Sequence, residues 1–184
     1  MRNFLLAFVL LLPLALSGAE AGGPPQQTVD KLFAQLKTAQ TPEDAKPLEA
    51  QILASFQASG SPSVDLLLTR ADAALAAGKK DVARHLYDTI TDIAPRFAEG
   101  WHRRALMQQE ADDSGAAMVS LQKVVALNPR QFEAMTQLGE MLEDFGQKAE
   151  ALKLYRRAIA LDPLYEGLQR HIDGLTRDVE GQGI

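Results

Sequence analysis

The chain has no cysteine and few aromatic residues. Without cysteine there can be no disulfide, no thiolate chemistry and no lipid on a signal-sequence cysteine. Acids outnumber lysine and arginine, 24 to 19, so the clustered positive charge typical of nucleic-acid binding is missing. The three histidines show no metal-ligand spacing, and the sequence contains neither a glycine-rich phosphate loop nor a Gly-x-Ser-x-Gly elbow. We therefore expect a non-catalytic protein with no cofactor and no metal.

Long apolar runs are also scarce, and the longest lies at the start of the chain. It extends from Phe4 to Leu16, contains Pro13 and follows the positive charge of Arg2. A bilayer span needs roughly 20 apolar residues, so this run is short for one. Together with the small residues ending at Ala21 it is typical of a cleaved secretory signal peptide, and a retained anchor is the alternative. We predict a signal peptide over residues 1–21, export to a bacterial periplasm, and no stable membrane anchor after cleavage.

Three prolines recur at one spacing, and other residue types recur with them. Pro95, Pro129 and Pro163 are 34 residues apart. Counted back from each proline, small residues share two columns, an aromatic residue or leucine a third, and a large apolar residue a fourth. The columns are Ala71, Ala105 and Gly139; Ala83, Ala117 and Ala151; Tyr87, Leu121 and Tyr155; and Leu67, Trp101 and Met135. Small side chains predict that paired helices cross at the close end of the ~8–10 Å interaxial range.

This pattern resembles the tetratricopeptide repeat, a helix–turn–helix unit of that length. The resemblance is clearest from Trp101 to Pro129 and from Met135 to Pro163. It implies an all-α, right-handed solenoid of antiparallel helix pairs, with eight or nine helices. Because one pair cannot bury its apolar stripe alone, stacking of the pairs is expected to form one continuous core.

The segments outside the repeats are predicted to form the two ends of the stack. Residues 22–27, rich in glycine and proline, are predicted to be a flexible lead-in. Residues 28–61 keep helical spacing, but Lys37 and Glu49 stand in small-residue columns, which predicts a degenerate helix pair that caps the stack. Three repeats occupy residues 62–163. Residues 164–184 are predicted to be a C-terminal capping helix with Leu168, Ile172 and Leu175 on one side, followed by a tail.

The resemblance also implies which residues face a ligand. In tetratricopeptide families, repeat positions 2, 5, 9, 12, 13 and 16 lie on the inner wall formed by the first helix of each pair. Nine of these eighteen positions are acidic here and one is basic. They are Asp65, Leu68, Asp72, Leu75, Ala76 and Lys79; Glu99, His102, Leu106, Gln109, Glu110 and Asp113; and Glu133, Thr136, Glu140, Glu143, Asp144 and Gln147. The second helices, which face outward in the family, carry Lys80, Arg84, Lys123, Lys148, Lys153, Arg156 and Arg157.

Two interpretations of this acidic wall are open. One is a protein-interaction groove, with apolar patches at Leu68, Leu75 and Leu106, for a basic or amphipathic segment of another exported protein. The other is a solvated face that only keeps the solenoid soluble. The basic clamp that grips a C-terminal carboxylate in chaperone adaptors is not expected, because residues such as His102 and Glu140 occupy its places. A self-associating structural protein, or a regulatory subunit of an envelope complex, is the alternative function.

Two arginines and a tryptophan depart from the repeat pattern or are ambiguous in it. Arg70 and Arg104 occupy repeat position 7, where Leu138 is the expected aliphatic type. Each is interpreted as laying its stem along the core and reaching an acid with its guanidinium. An anion site formed by stacked guanidinium groups is the alternative. Trp101 is interpreted as a core residue.

Overall fold

The computed structural model describes residues 26–181, which form nine helices and no strand. The helices are α1 Gln26–Leu36, α2 Pro42–Ser55, α3 Pro62–Ala76, α4 Lys80–Ile93, α5 Ala98–Glu110, α6 Ser114–Leu127, α7 Phe132–Asp144, α8 Lys148–Leu161 and α9 Leu168–Val179. Helices α3–α8 are three successive pairs, and the predicted all-α solenoid is confirmed. None of the helices within residues 26–181 is long and apolar enough to cross a membrane.

The predicted chain ends fall mostly outside the described residues. The signal peptide, residues 22–25 of the lead-in and the last three residues of the tail lie there. The lead-in was predicted to continue to residue 27, but residues 26 and 27 already belong to α1. Glutamine has good helix propensity, so these two residues extend the helix rather than the linker.

Backbone conformation sets the turn inside each pair. Gly78, Asp112 and Gly146 have positive φ angles of 73°, 59° and 76° between the two helices of their pairs. Glycine adopts this left-handed conformation without a Cβ clash, and aspartate is one of the few other residues enriched there. Each second helix then ends before a proline, which disfavours helical backbone in the residue preceding it. The C-cap residues in those positions are Ala94, Asn128 and Asp162.

The small-residue columns lie in the core, as the crossing argument requires. All six of their alanine and glycine residues are buried. In the third pair, a Cβ added to Gly139 would lie 2.5 Å from Cε1 of the fully buried Tyr155 ring. Between the first and second pairs, a Cβ added to Gly100 would lie 2.6 Å from Cγ2 of Ile90. The close pairing of α7 with α8 and the close stacking of α5 on α4 therefore depend on the absence of a Cβ at Gly139 and Gly100.

The N-terminal helix pair does not lie where the sequence predicts. A cap on the stack should share a core with α3 and α4, which contain the cluster around Tyr87 and Ile90. Instead, Phe33, Leu36 and Ile52 belong to the separate core of α5–α9. The pair folded from α1 and α2 therefore lies against the second and third repeats, and its predicted place as an end cap is wrong.

Aromatic and ionic contacts show what the N-terminal pair packs against. The Phe33 ring meets Phe132 edge-on, with centroids 6.4 Å apart, and Phe132 meets Tyr165 at 5.6 Å. Arg130 places its guanidinium 4.0 Å from the centre of the Phe33 ring and forms an ion pair with Asp30. Arg130 and Phe132 come from the α6–α7 turn and the start of α7, and Lys46 of α2 forms an ion pair with Glu166 of the α8–α9 segment. The pair therefore rests on the connections between repeats.

Side-chain hydrogen bonds mark the starts of α2 and α3. Helix α2 begins after Thr41, whose hydroxyl accepts a hydrogen bond from the Asp44 N–H at 3.2 Å, and Pro47 lies inside the helix. Ser61 is the N-cap residue of α3, but its side chain makes no capping bond. Ser59 forms hydrogen bonds with the first turn of α3 instead: its N–H and its hydroxyl both donate to Asp65 Oδ1.

Candidate functional site

Nine of the predicted groove residues line one of three cavities. The largest, which we call the acidic cleft, has a volume of about 530 Å³ and lies between α7 and the chain from Tyr165 to His171. It is lined by Thr136, Glu140, Glu143, Asp144, Tyr155, Tyr165, Glu166, Gly167, Leu168 and His171. The second, the inner cavity, has a volume of about 320 Å³. It is lined by Leu53, Gln57, Glu99, His102, Arg103, Leu106, Gln131, Glu133 and Gln137.

Glu143 is the central side chain of the acidic cleft. Its Oε2 accepts a hydrogen bond from the Tyr155 hydroxyl at 3.2 Å and lies 2.7 Å from His171 Nε2. Burial raises the pKa of Glu140; His171 acts against this rise, and Asp144 and Glu143 add to it. Four carboxylates and one histidine thus face a cleft walled by two tyrosines. Such an arrangement favours a cation with an apolar stem.

The inner cavity contains a buried charge network. Glu99 and His102 are 5% and 4% exposed. Arg103 donates from Nε to Glu99 Oε1 at 2.8 Å, while His102 Nδ1 lies 3.6 Å from Glu99 Oε2 and its Nε2 lies 3.0 Å from Gln137 Oε1. Burial acts to lower the pKa of His102, but the hydrogen bond and charge of Glu99 outweigh it, and the pKa is raised. The predicted groove residues Glu99 and His102 therefore bind each other inside the fold.

Two other predicted groove residues are also buried. Leu68, 4% exposed, belongs to the core of α3 and α4, so the apolar patch predicted there is wrong. Thr136 is 7% exposed and donates its hydroxyl to the Phe132 carbonyl at 3.0 Å. Leu106, by contrast, is 36% exposed. Repeat position alone does not predict accessibility, because neighbouring helices and the N-terminal pair cover part of the inner wall.

The remaining predicted groove residues line neither the acidic cleft nor the inner cavity. Leu75 is partly buried against the core of α3 and α4. The polar ones contact residues of nearby helices or turns: Asp65 with Ser59, Asp72 with Tyr87, Gln109 with Met141, Glu110 with Lys80, and Asp113 with the Ala116 N–H. Asp113 also lines the third of the three cavities, which is the smallest. These contacts occupy the side chains that the repeat frame assigns to a ligand.

Arg104 performs the structural role predicted for it. Its Nε lies 3.0 Å from Asp88 Oδ1, its Nη1 donates to Thr91 Oγ1 at 3.2 Å, and its guanidinium carbon lies 5.4 Å from the centre of the Trp101 ring. Trp101 is partly buried and donates its indole N–H to the Pro95 carbonyl at 3.0 Å. Arg70 is exposed. The two arginines therefore have different environments although they share a repeat position.

Sequence reasoning predicted the outward cations but missed several cavity residues. The seven lysines and arginines assigned to the second helices are all exposed. Arg103 lies beside the inner cavity, and Leu53, Tyr165 and His171 come from outside the repeats. The 34-residue frame covers residues 62–163, so it could not locate Leu53, Tyr165 or His171, and Arg103 is not at one of its ligand-facing positions. Within residues 26–181, no group of three histidine, cysteine or acidic side chains is arranged to hold a metal ion.

Comparison with known proteins identifies the repeat. Residues 109–166 match the family model described as tetratricopeptide repeat. This match identifies tetratricopeptide repeats within that part of the chain. A tetratricopeptide repeat-containing protein of Rhizobium etli is 27% identical to it over 161 residues, which cover 88% of this chain and 79% of the relative.

Solved tetratricopeptide structures share the fold. The first tetratricopeptide domain of Spaghetti (RPAP3), bound to the HSP90 peptide SRMEEVD, has a TM-score of 0.56 and 21% identity and covers 63% of this chain and 92% of that one. A structure of MamA has a TM-score of 0.56 and 22% identity, with 83% and 81% covered. Tetratricopeptide repeats are typically non-catalytic modules for protein–protein interaction, so a protein partner is the function that this fold supports.

Proposed function

We propose that this tetratricopeptide protein binds a basic or amphipathic segment of another exported protein in the acidic cleft. The observation that carries the proposal is the lining of the cleft, where Glu140, Glu143, Asp144 and Glu166 surround a space of about 530 Å³. A lysine or arginine entering there meets carboxylates at its charged end. Its stem meets the tyrosine rings, which also attract cations through their π faces.

The charge of the cleft does not suit the peptide that a structural neighbour binds. The peptide bound to the Spaghetti domain, SRMEEVD, has three acidic residues. An acidic peptide of that kind would be repelled by four carboxylates, whereas a basic one would be steered toward them. We therefore expect a basic peptide to bind more tightly than an acidic one, and its affinity to depend on salt in the opposite direction.

Binding of fluorescent peptides measures this preference. A lysine-rich amphipathic peptide should bind more tightly than SRMEEVD, and its affinity should fall as salt is raised. The double substitution Glu140→Lys with Glu143→Lys should weaken binding of the basic peptide by about tenfold or more, because like charges then face each other. The matched control is Asp81→Lys with Asp92→Lys, which makes the same change of charge on exposed positions of α4.

An affinity for the basic peptide that ignores both ionic strength and the cleft substitutions would rule out the acidic-cleft proposal. The melting temperature of each variant, followed by circular dichroism, shows whether the fold survives the change of charge. Only variants that melt cooperatively are compared.

The partner is proposed to be an exported protein because of the first residues of the chain. The apolar run from Phe4 to Leu16 and the small residues ending at Ala21 support cleavage by a signal peptidase and a periplasmic location. N-terminal sequencing of the protein from an envelope fraction should begin at Gly22. An intact Met1 on protein recovered from the cytoplasm would contradict export.

Self-association is a second candidate function, supported by the open side of α3. Leu66 is 51% exposed, and Arg70 is also exposed. Their counterparts 68 residues later, Ala134 and Leu138, are buried in the core of α5–α9. A second copy could cover this side of α3. Sedimentation equilibrium tests this: a monomer at all concentrations removes the candidate, and a dimer that Leu66→Glu dissociates supports it.

A further inference from the structure

The end of α2 closes one side of the inner cavity. Leu53 and Gln57 line the cavity together with Glu99 and His102 of α5. These α5 residues belong to the wall that the repeat assigns to ligands, yet they are almost completely buried. The N-terminal pair therefore takes part in covering the inner wall of the second repeat.

Asp162, at the C-cap of α8, provides an unusual contact for this pair. It is fully buried, and its Oδ1 accepts a hydrogen bond from the Leu164 N–H at 3.2 Å. Its Oδ2 is also buried and receives no hydrogen bond from any amide, hydroxyl or cationic group within the described part of the chain. The side chain that interacts with Asp162 is another carboxyl group, that of Glu49 on α2, which lines a cavity with Leu164 and Tyr165 of the α8–α9 segment. Two carboxyl groups form a hydrogen bond only when one of them keeps a proton.

Glu49 is the carboxyl group that keeps the proton. Burial raises its pKa to about 7, and Asp162 contributes through charge and hydrogen bonding. The other charged groups around it are Lys46 on the same helix, which opposes the rise, and Glu133 on α7, which adds to it. Glu166 forms an ion pair with Lys46 at 3.6 Å. Glu166 and Glu49 both line a further cavity, between α2 and the α8–α9 segment, which is distinct from the acidic cleft and the inner cavity. Deprotonation of Glu49 would therefore add a fourth carboxylate to the three of Asp162, Glu133 and Glu166, with one exposed lysine, Lys46, among them.

We propose that α1 and α2 form a cover over the inner cavity, and that one proton shared between Glu49 and Asp162 adds to the apolar contacts that hold this cover closed. When the proton leaves, the two carboxylates repel each other, and the cover separates more often from the α8–α9 segment. Opening uncovers Phe132 and Tyr165 as well as the inner cavity. The proposal rests on and extends the proposed binding function, because the cover controls access to the part of the inner wall that the second repeat contributes. Its test needs no partner.

The direction of the pH dependence follows from the two states of Glu49. Its pKa is about 7 when the cover is closed and near the ordinary 4.5 when the cover is open and solvated. The proton therefore stabilises the closed state fully below pH 4.5, and this stabilisation is lost as the pH rises to about 7. Half of the closed molecules still hold the proton at a pH equal to this pKa, so the last part of the loss occurs just above about pH 7. The cover should be closed at pH 5 and more often open at pH 8.

Hydrogen–deuterium exchange of the full chain, read over residues 26–55, measures opening of the cover. The wild type is compared with Glu49→Gln at pH 5 and at pH 8, so that the chemical pH dependence of exchange cancels at each pH. A glutamine amide donates to Asp162 at both pH values. From pH 5 to pH 8, protection of the wild type relative to this variant should fall by about tenfold. The control, Glu43→Gln, removes an exposed carboxylate from the same helix and should behave as the wild type does.

A second variant keeps the proposal testable if Glu49→Gln fails to fold. Asp162→Asn retains the acceptor for the Leu164 N–H and offers an amide donor to ionised Glu49, so it should hold the cover closed at pH 8. Equal loss of protection in the wild type and in the folded variants between pH 5 and pH 8 would overturn the proposal. So would a wild type that is unprotected over residues 26–55 at both pH values. Neither result alters the peptide test of the acidic cleft, which measures the effect of substituting Glu140 and Glu143 on peptide affinity.

Discussion

At the scale of single residues, the third repeat depends on the hydrogen atom that glycine has in place of a side chain. Gly139 lies against the fully buried ring of Tyr155, whose hydroxyl is held by Glu143. Because the ring is packed on all sides and anchored at its tip, it has little freedom to retreat. The same position holds alanine in the other two repeats, although the first of them also has a tyrosine, Tyr87, in the facing column.

Gly139→Ala should therefore destabilise the protein. The added Cβ would lie 2.5 Å from Cε1 and 2.9 Å from Cδ1 of Tyr155, and overpacking of this kind costs about 1–3 kcal/mol. Urea unfolding measures the free-energy change. Gly174→Ala is the matched control, because it lies in α9 with no atom within 4 Å of the new Cβ; helix propensity should stabilise it by up to about 1 kcal/mol. Equal effects of the two substitutions would contradict the packing argument.

At the scale of helices, the N-terminal pair is joined to repeats distant from it in the chain. Ile52 is fully buried in the core that contains Phe132 and Leu168, whereas α3 follows α2 directly and has its own core with α4. In a simple stack each pair contacts only its neighbours. The position of α1 and α2 therefore couples the first helices of this chain to the third repeat.

Ile52→Ala should reveal that coupling. Removing a buried isoleucine side chain costs about 2–5 kcal/mol. Hydrogen exchange should accelerate in α1, α2 and the start of α7, and it should be unchanged in α3 and α4. The control is Ile93→Ala, because Ile93 is 56% exposed and its truncation should change stability by no more than about 0.5 kcal/mol. Faster exchange in α3 and α4 first would instead indicate an end cap.

At the scale of the whole molecule, acids dominate and several of them lie close together. Burial is the largest cause of the raised pKa of Glu49, Glu133, Glu140 and Asp162. His102 also has a raised pKa, through Glu99. All five groups hold protons more tightly in the folded than in the unfolded protein. Their contribution to stability is complete below their unfolded pKa values and is lost as the pH rises through the folded ones.

The melting temperature should consequently be higher at pH 5 than at pH 8. Scanning calorimetry at constant ionic strength measures it, and Glu49→Gln should reduce the difference because it removes one of the contributing groups. An exposed carboxyl substitution, Glu43→Gln, should leave the difference unchanged. A melting temperature that rises from pH 5 to pH 8 would show that other ionisable groups control the pH dependence.

Much of the fold could be predicted from local pattern. The spacing of Pro95, Pro129 and Pro163 located three helix pairs, and the small columns identified where helices cross. The candidate site was predicted only in part. Glu140 and Glu143 do line a cleft, but Glu99 and His102 are buried, and Tyr165 and His171 lie outside the repeat frame. Accessibility depends on neighbours from other elements, and a repeat column contains no information about those neighbours.

The sequence by itself determined that this chain forms paired helices at a 34-residue repeat, because glycine, alanine and proline act through local backbone geometry and close crossing. It also determined the excess of acid on the first helices of the pairs. Only the tertiary structure decided that α1 and α2 rest on the second and third repeats, and that α9 supplies one side of the acidic cleft. Those placements are set by contacts between residues far apart in the chain, such as Phe33 with Phe132 and Glu49 with Asp162. Such contacts have no period that a sequence can display.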